Sequence, residues 1–391
     1  MPTDPATLAP APTETEASDT LPAETTSTDT AVPDDSVLGT EPPATSPSVA
    51  GVPDTAAKPG DPAAATRALF AGVAGGDPGC SVAVGRDGQV VLADAFGAAS
   101  LVPSTPMSPA TVVDIGSTSK QFTATAIALL SERGAIHLDD SLAVYVPGLP
   151  DWASTVTLRE MLHHTSGIPD YIGLLSQEFS QPATDADALN AIAQAQALDF
   201  TPGTSWEYSN SNYFLLGQVV LEMTGDDLGR FLTDEVFGPL HLDAVMDPTA
   251  AIAGKAVSYE RDGGRWVDAT SPWTQTGDGG VQTTPSQLVK WAAQYWDPTI
   301  GDPDINILRL DGAVHTDDPA ERYGFGIFET TLDGEQILEH SGSWEGFATS
   351  FVVAPDRHLA VAVTCTSNET VPASANGDIG YDVMSLWLAA A

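Results

Sequence analysis

The pattern of apolar positions divides the chain into two unlike parts. From about residue 62 onward, apolar side chains recur at helix or strand periods. Before that point they show no period at all. Phe122, Ala126, Leu129 and Leu130 fall at helical spacing and Gly134 supplies a stop, so a helix is predicted across them. Residues 80–84 and 89–96 read as two strands joined by the hairpin signal Arg86-Asp87-Gly88. Further helices are predicted over residues 64–74, 158–164, 183–198, 212–224 and 285–296, the last with Thr283 or Thr284 as N-cap before Pro285. The pattern then turns strand-like over residues 324–330, 336–339, 348–354 and 359–366, and a helix over 379–388 closes the chain. No internal repeat of 20 to 50 residues is evident.

Strands near both ends with helices between them predict an α+β fold. An antiparallel sheet is built from N- and C-terminal segments (about 62–150 and 270–391). A largely helical insertion (about 151–269) packs against it, with the functional cleft between the two. Residues 1–61 are different. They are Pro, Thr, Ala, Ser and acidic residues with Lys58 as the single base, and they cannot bury enough apolar surface to offset their ordering entropy. They read as a disordered acidic tail of the kind that tethers secreted or envelope enzymes. The start, Met1-Pro2-Thr3-Asp4, shows no signal-peptide pattern, which leaves a cytoplasmic location open.

The formal charge is −39, from 53 acidic against 14 basic residues, so nucleic acid and anionic membranes are repelled. No run approaches the length of a membrane span. The two cysteines, Cys80 and Cys365, match no metal spacing; the plain reading is two buried thiols, with a single disulfide as the alternative. Adjacent His163-His164 do not share a helix face and find no third ligand, which argues against zinc.

The candidate chemistry begins at Ser117-Thr118-Ser119-Lys120. If Ser117 opens the predicted helix, Lys120 lies one turn later on the same face. Desolvation depresses a lysine pKa and frees an amine able to take a serine proton. Of four lysines, Lys120 alone has serine three positions before it. Tyr208-Ser209-Asn210 follows Pro202-Gly203 on a loop before the 212–224 helix. There a phenol can act as base or acid, and an amide can hold a substrate carbonyl. Taken alone, these are a turn tyrosine and an asparagine bonding its own backbone. His340-Ser341-Gly342-Ser343 ends a predicted strand, and Gly342 there lets a substrate backbone approach the strand edge. The N–H groups of Ser117 and Ser343 are candidates for an oxyanion hole. Gly277-Asp278-Gly279-Gly280 reads as a tight turn lining the cleft, without the lysine of a phosphate loop. Asn368-Glu369-Thr370 fits the glycosylation pattern, which is too common to carry weight.

Together these residues resemble the penicillin-recognising serine hydrolases: class C β-lactamases, D,D-carboxypeptidases, D-aminopeptidases and related esterases. Ser117-x-x-Lys120, Tyr208-x-Asn210 and His340-x-Gly342 look like that family's three motifs in order. Pro78-Gly79-Cys80 with the hairpin, Leu138-Asp139-Asp140-Ser141-Leu142, His163-His164-Thr165-Ser166-Gly167 and Gly279-Gly280-Val281 look like further family segments. The resemblance covers about residues 64–391. It implies an acyl-enzyme on Ser117, proton transfer shared by Lys120 and Tyr208, and substrate held by Asn210, His340, Gly342 and Ser343. It implies no metal or cofactor. The substrate is then an ester, an amide or a peptidoglycan-like peptide. It also implies that the first and last strands pair, placing Cys80 and Cys365 on neighbouring strands. One departure matters. Class C β-lactamases usually carry Lys-Thr-Gly where this chain has His-Ser-Gly. A histidine is mostly neutral near pH 7 and attracts a substrate carboxylate weakly. Nearby cations are limited to Arg322 and Arg357. An esterase, amidase or D-amino-acid peptidase is therefore expected ahead of a true β-lactamase. The alternative of another class is a non-catalytic penicillin-binding sensor on the same fold.

Overall fold

The computed structural model describes residues 60–175, 182–269, 271, 273–310 and 312–390. The tail expected over 1–61 lies almost wholly outside them. The architecture is an antiparallel sheet with helices on both faces. Its strands are β1 (Cys80–Arg86), β2 (Gln89–Phe96), β3 (Val314–His315), β4 (Arg322–Tyr323), β5 (Phe328–Leu332), β6 (Glu335–Trp344), β7 (Phe347–Ala354) and β8 (Leu359–Cys365). Their spatial order is β3-β4-β5-β6-β7-β8-β1-β2, so the two ends of the chain meet where β8 pairs with β1. In that register Cys80 stands opposite Cys365, and a disulfide joins them.

Strand periodicity sets the two faces. Along β8, Leu359, Val361, Val363 and Cys365 point to one side, while Ala360 and Ala362 point to the other. The bulky side is covered by α1 (Pro62–Leu69) and α10 (Ile379–Leu388). The small side, with Ala83 and Gly85 of β1, lets α8 (Pro285–Trp291) lie close to the strands. A Cβ at Gly85 would come within 2.9 Å of Val289 Cβ. The β1–β2 turn uses positive φ at Asp87 (50°) and Gly88 (72°), as a two-residue hairpin of right-handed twist requires.

The remaining helices are α2 (Lys120–Glu132), α3 (Leu158–Leu162), α4 (Tyr171–Leu174), α5 (Asp185–Gln194), α6 (Asn210–Thr224), α7 (Leu228–Leu232) and α9 (Ile305–Leu310). They gather around α2, which is buried from Lys120 to Leu130 and packs on α6, α7 and α9. Helix 64–74 was expected to be longer than α1; it stops at Leu69, ahead of Gly72, Gly75 and Gly76, which disfavour helix. The strand expected over 324–330 begins only at Phe328. Gly326 has φ +74°, and a Cβ there would lie 2.7 Å from the Lys120 carbonyl. That segment is a turn pressed onto α2. By contrast β6 runs on to Trp344, so His340–Ser343 sit inside a strand instead of at its end.

Candidate active site

The segment carrying Ser117 is bolted to its surroundings before the helix starts. Residues 113–114 pair with 282–283, and Ile115 N–H donates to the Val281 carbonyl at 3.0 Å. Buried Asp114 accepts from Gly116 N–H at 2.8 Å, and Ser119 Oγ accepts from Val281 N–H at 3.1 Å. A tight 3-10 turn, Gly116–Ser119, then feeds α2. Ser117 is half-buried where its neighbours on both sides are closed off.

Strand β6 crosses this turn. A Cβ at Gly342 would stand 2.0 Å from the Ile115 carbonyl, so only glycine fits. The close approach is between the strand and the turn that carries Ser117. Gly116 in turn lies against Ser343, with 2.9 Å from its ideal Cβ position to Ser343 N. The backbones of 116–117 and 343 therefore stand side by side.

Lys120 is fully buried, and its Nζ donates to Ser117 Oγ (3.1 Å), Asn210 Oδ1 (2.8 Å) and the Asp278 carbonyl (2.7 Å). Burial pushes its pKa down to about 8, against the pull of the Asp278 and Asp170 carboxylates. At pH 7 about one lysine in ten then carries a free amine, against about one in three thousand at its ordinary pKa. Tyr208 is also buried, and its ring lies 4.8 Å from Lys120 Nζ. Its phenol interacts with Ser117, yet its oxygen completes no hydrogen bond of normal geometry in this state. Burial holds that phenol well above its usual pKa, outweighing the interaction with Ser117.

Asn210 opens α6. Its Oδ1 faces Lys120, while its Nδ2 and backbone N–H both donate to Asp170 Oδ2 at 2.9 Å. His340 is 2% exposed, and both ring nitrogens are engaged: Nδ1 donates to the Ser341 carbonyl (2.6 Å) and Nε2 accepts from Tyr323 Oη (3.2 Å). Burial, and then the Lys120 charge, push its pKa to about 3, so the ring is neutral. The third motif thus offers no cation. Arg322 and Arg357 are paired with Glu329 and Glu335.

Three residues enter the site that sequence reasoning did not assign to it. Asp278 is buried, accepts from Tyr171 Oη at 2.9 Å, and burial raises its carboxyl to about 6. The Gly277–Gly280 turn signalled its place but not its charge. Asp170 follows the His163-His164-Thr165-Ser166-Gly167 segment and anchors Asn210. His164 packs its ring on Tyr208 at 4.3 Å between centroids. A separate hollow of about 430 Å³, with Leu69, Val73, Trp266 and Val371 in its walls, includes none of these residues. Among the described residues no cluster of three metal-ligating side chains occurs.

A serine, a lysine and a tyrosine brought together at the head of a helix, beside an antiparallel sheet closed by both chain ends, define the penicillin-recognising serine hydrolase class. The chain belongs to the beta-lactamase family, whose model matches residues 64–381. It is 31% identical over 276 residues to a D-aminopeptidase of Brucella anthropi, covering 69% of this chain and 52% of that protein. It is 29% identical over 308 residues to a D-aminopeptidase of Cereibacter sphaeroides, covering 76% of this chain and 58% of that one. The chain thus spans little more than half the length of these curated relatives. Among solved structures, the octameric penicillin-binding protein homologue from Pyrococcus abyssi superposes with a TM-score of 0.71 at 26% identity, covering 80% of this chain and 73% of that one. The D-amino acid amidase from Ochrobactrum anthropi SV3 superposes with a TM-score of 0.72 at 20% identity, covering 85% and 99%; at that identity the likeness speaks for the fold.

Proposed function

We propose that this protein hydrolyses amides or esters of small amino compounds through an acyl-enzyme on Ser117, in the manner of an aminopeptidase or amidase. The observation that carries the reading is the 3.1 Å contact of Ser117 Oγ with a buried lysine whose pKa falls to about 8. Lys120 is the base, because the phenol of Tyr208 is held too protonated to accept. Lys120 Nζ takes the Ser117 proton as Oγ attacks the carbonyl carbon. The N–H groups of Ser117 and Ser343 receive the oxyanion. As the bond to the leaving group breaks, Tyr208 gives that group its proton and recovers one from the Lys120 ammonium. Water then attacks the acyl ester, and the proton it loses returns to Ser117 Oγ as the acid is released.

Charge selects the substrate class. Asp170 and Asp278 outnumber the single cation Lys120, and His340 is neutral. A substrate with a free carboxylate meets repulsion here, while one with a free ammonium is attracted. The D-aminopeptidase relatives support this choice over penicillin turnover. The test is hydrolysis of D-alanine p-nitroanilide, p-nitrophenyl acetate and nitrocefin by the enzyme and by Ser117→Ala. We expect the anilide and the ester to be cleaved well ahead of nitrocefin, and Ser117→Ala to lose at least about 10³-fold. Full turnover by Ser117→Ala refutes the mechanism, and preferred turnover of nitrocefin refutes the substrate class.

A further inference from the structure

His164 sits in a strained place with a specific set of partners. Its φ is +56°, a region that costs a non-glycine residue energy and persists only where the surroundings hold it. Its carbonyl accepts from Glu207 N–H at 3.0 Å. Its Nδ1 accepts from Ser209 N–H at 3.2 Å and from Asn212 Nδ2 at 3.1 Å. The two amides flanking Tyr208 are therefore both tied to one residue. The imidazole of that residue lies against the Tyr208 ring, 4.3 Å away and tilted by 32°.

The tautomer follows from these bonds. Two donors point at Nδ1, so Nδ1 is the lone-pair nitrogen and the proton is on Nε2, which is buried without a partner. A protonated ring would turn Nδ1 into a donor facing two donors. Burial, together with the charges of Lys120 and of any protonated His340 or His163, disfavours the imidazolium. Further anchors lie to either side of this stretch: Gly203 N–H donates to the Thr165 carbonyl at 2.8 Å, and Asn210 N–H donates to Asp170 Oδ2 at 2.9 Å.

We propose that His164 is the positioning residue for Tyr208: a neutral imidazole that grips the amides on either side of the tyrosine and backs its ring, so that the phenol stays at Ser117. This rests on the role given to Tyr208 above. Nothing in it requires His164 to touch substrate or exchange a proton.

The experiment is a double-mutant cycle on kcat for D-alanine p-nitroanilide with His164→Gly, Tyr208→Phe and the pair, each variant checked for a cooperative thermal transition. Glycine keeps the positive φ, so it deletes the ring and its acceptor without adding backbone strain. We expect His164→Gly to lower kcat about 10²-fold where Tyr208 is present, on the scale of general acid–base contributions. On the Tyr208→Phe background it should cost less than about threefold more, since coupled residues are non-additive. His164→Asn, whose Oδ1 can take the place of Nδ1 and which tolerates this φ, should recover most of the loss. An equal loss in both backgrounds overturns the proposal, because it marks a role that does not pass through Tyr208. Should His164→Gly fail to fold, the same cycle is run with His164→Asn, whose smaller loss must likewise vanish beside Tyr208→Phe. Full activity of Tyr208→Phe alone instead overturns the role of Tyr208, and the proposal with it.

Discussion

Lys120 and His340 come to the Ser117 turn from different elements, one from a helix and one from a strand, and both are buried. Yet one keeps a usable proton near neutral pH and the other is stripped of it. Much of the difference is intrinsic, since an amine starts at 10.5 and an imidazole at 6.5 and burial lowers both; what surrounds each adds to it. Lys120 meets a carbonyl, an amide oxygen and the fields of two carboxylates, which hold its pKa near 8 against desolvation. His340 meets Tyr323, Phe328 and Tyr208, and no acid beside it offsets the burial and the Lys120 charge that lower it to about 3. Burial lowers both groups, freeing the amine of one and neutralising the ring of the other. The acids keep the lysine from falling further.

The sharpest way to break this contrast is to remove each group in turn. Lys120→Met should lower kcat/KM by about 10³ to 10⁴, the span of a lost general base, while also leaving Asn210 Oδ1 and the Asp278 carbonyl unpaired. His340→Gln can keep a donor toward the Ser341 carbonyl and an acceptor for Tyr323, and should cost less than about fivefold. Comparable losses from the two would mean that His340 carries charge or a proton in the reaction. Steady-state kinetics on an amide and an ester, with thermal melts of both variants, decide it.

A smaller effect is expected where the strand crosses the turn. Gly342→Ala places a methyl into the Ile115 carbonyl, so either β6 or the Ser117 turn must move. We expect a stability loss of about 2–3 kcal/mol, as for other overpacked sites, with a drop in kcat that KM does not share. A variant with unchanged melting and unchanged kcat would show that this contact does not hold the nucleophile in place.

Much of this site could be seen in the chain before folding, and the reason is local geometry. Ser117 and Lys120 are one helical turn apart, so their meeting needs no tertiary information. The hairpin at Asp87-Gly88 and the N-cap before Pro285 are likewise written in adjacent residues. Contacts made only by distant segments could not be read from spacing. Asp278 looked like part of a glycine turn because its value lies in a lysine 158 positions away. Gly342 was expected to make room for substrate, but the room is taken by Ile115. His340 was judged from its ordinary pKa, which gave the right sign for charge, while its aromatic box and two engaged nitrogens appear only with β4 and β5 in place. The resemblance to the family supplied the pairing of β1 with β8; no local signal carries it.

The mildest perturbation tests the acids directly. Asp278→Asn keeps an oxygen for Tyr171 but removes a negative charge whose field acts on Lys120. The ammonium loses stabilisation, so the lysine pKa should fall by on the order of one pH unit, the low end of what a nearby opposite charge produces. In the wild-type enzyme kcat/KM should rise about tenfold per pH unit up to an apparent pKa near 8, where the amine becomes free. In the variant that limb should move toward lower pH, raising activity at pH 7 relative to the plateau. Below about pH 6 the difference should shrink, because Asp278 itself takes up a proton there and wild type comes to resemble the variant. Tyr208, Tyr213, Asp170, His164 and His340 also surround Lys120, but the phenols stay protonated and the imidazoles neutral across this window. A limb that stays put in Asp278→Asn, or moves upward, would place the control of the lysine elsewhere, and Asp170 would be the next carboxylate to remove.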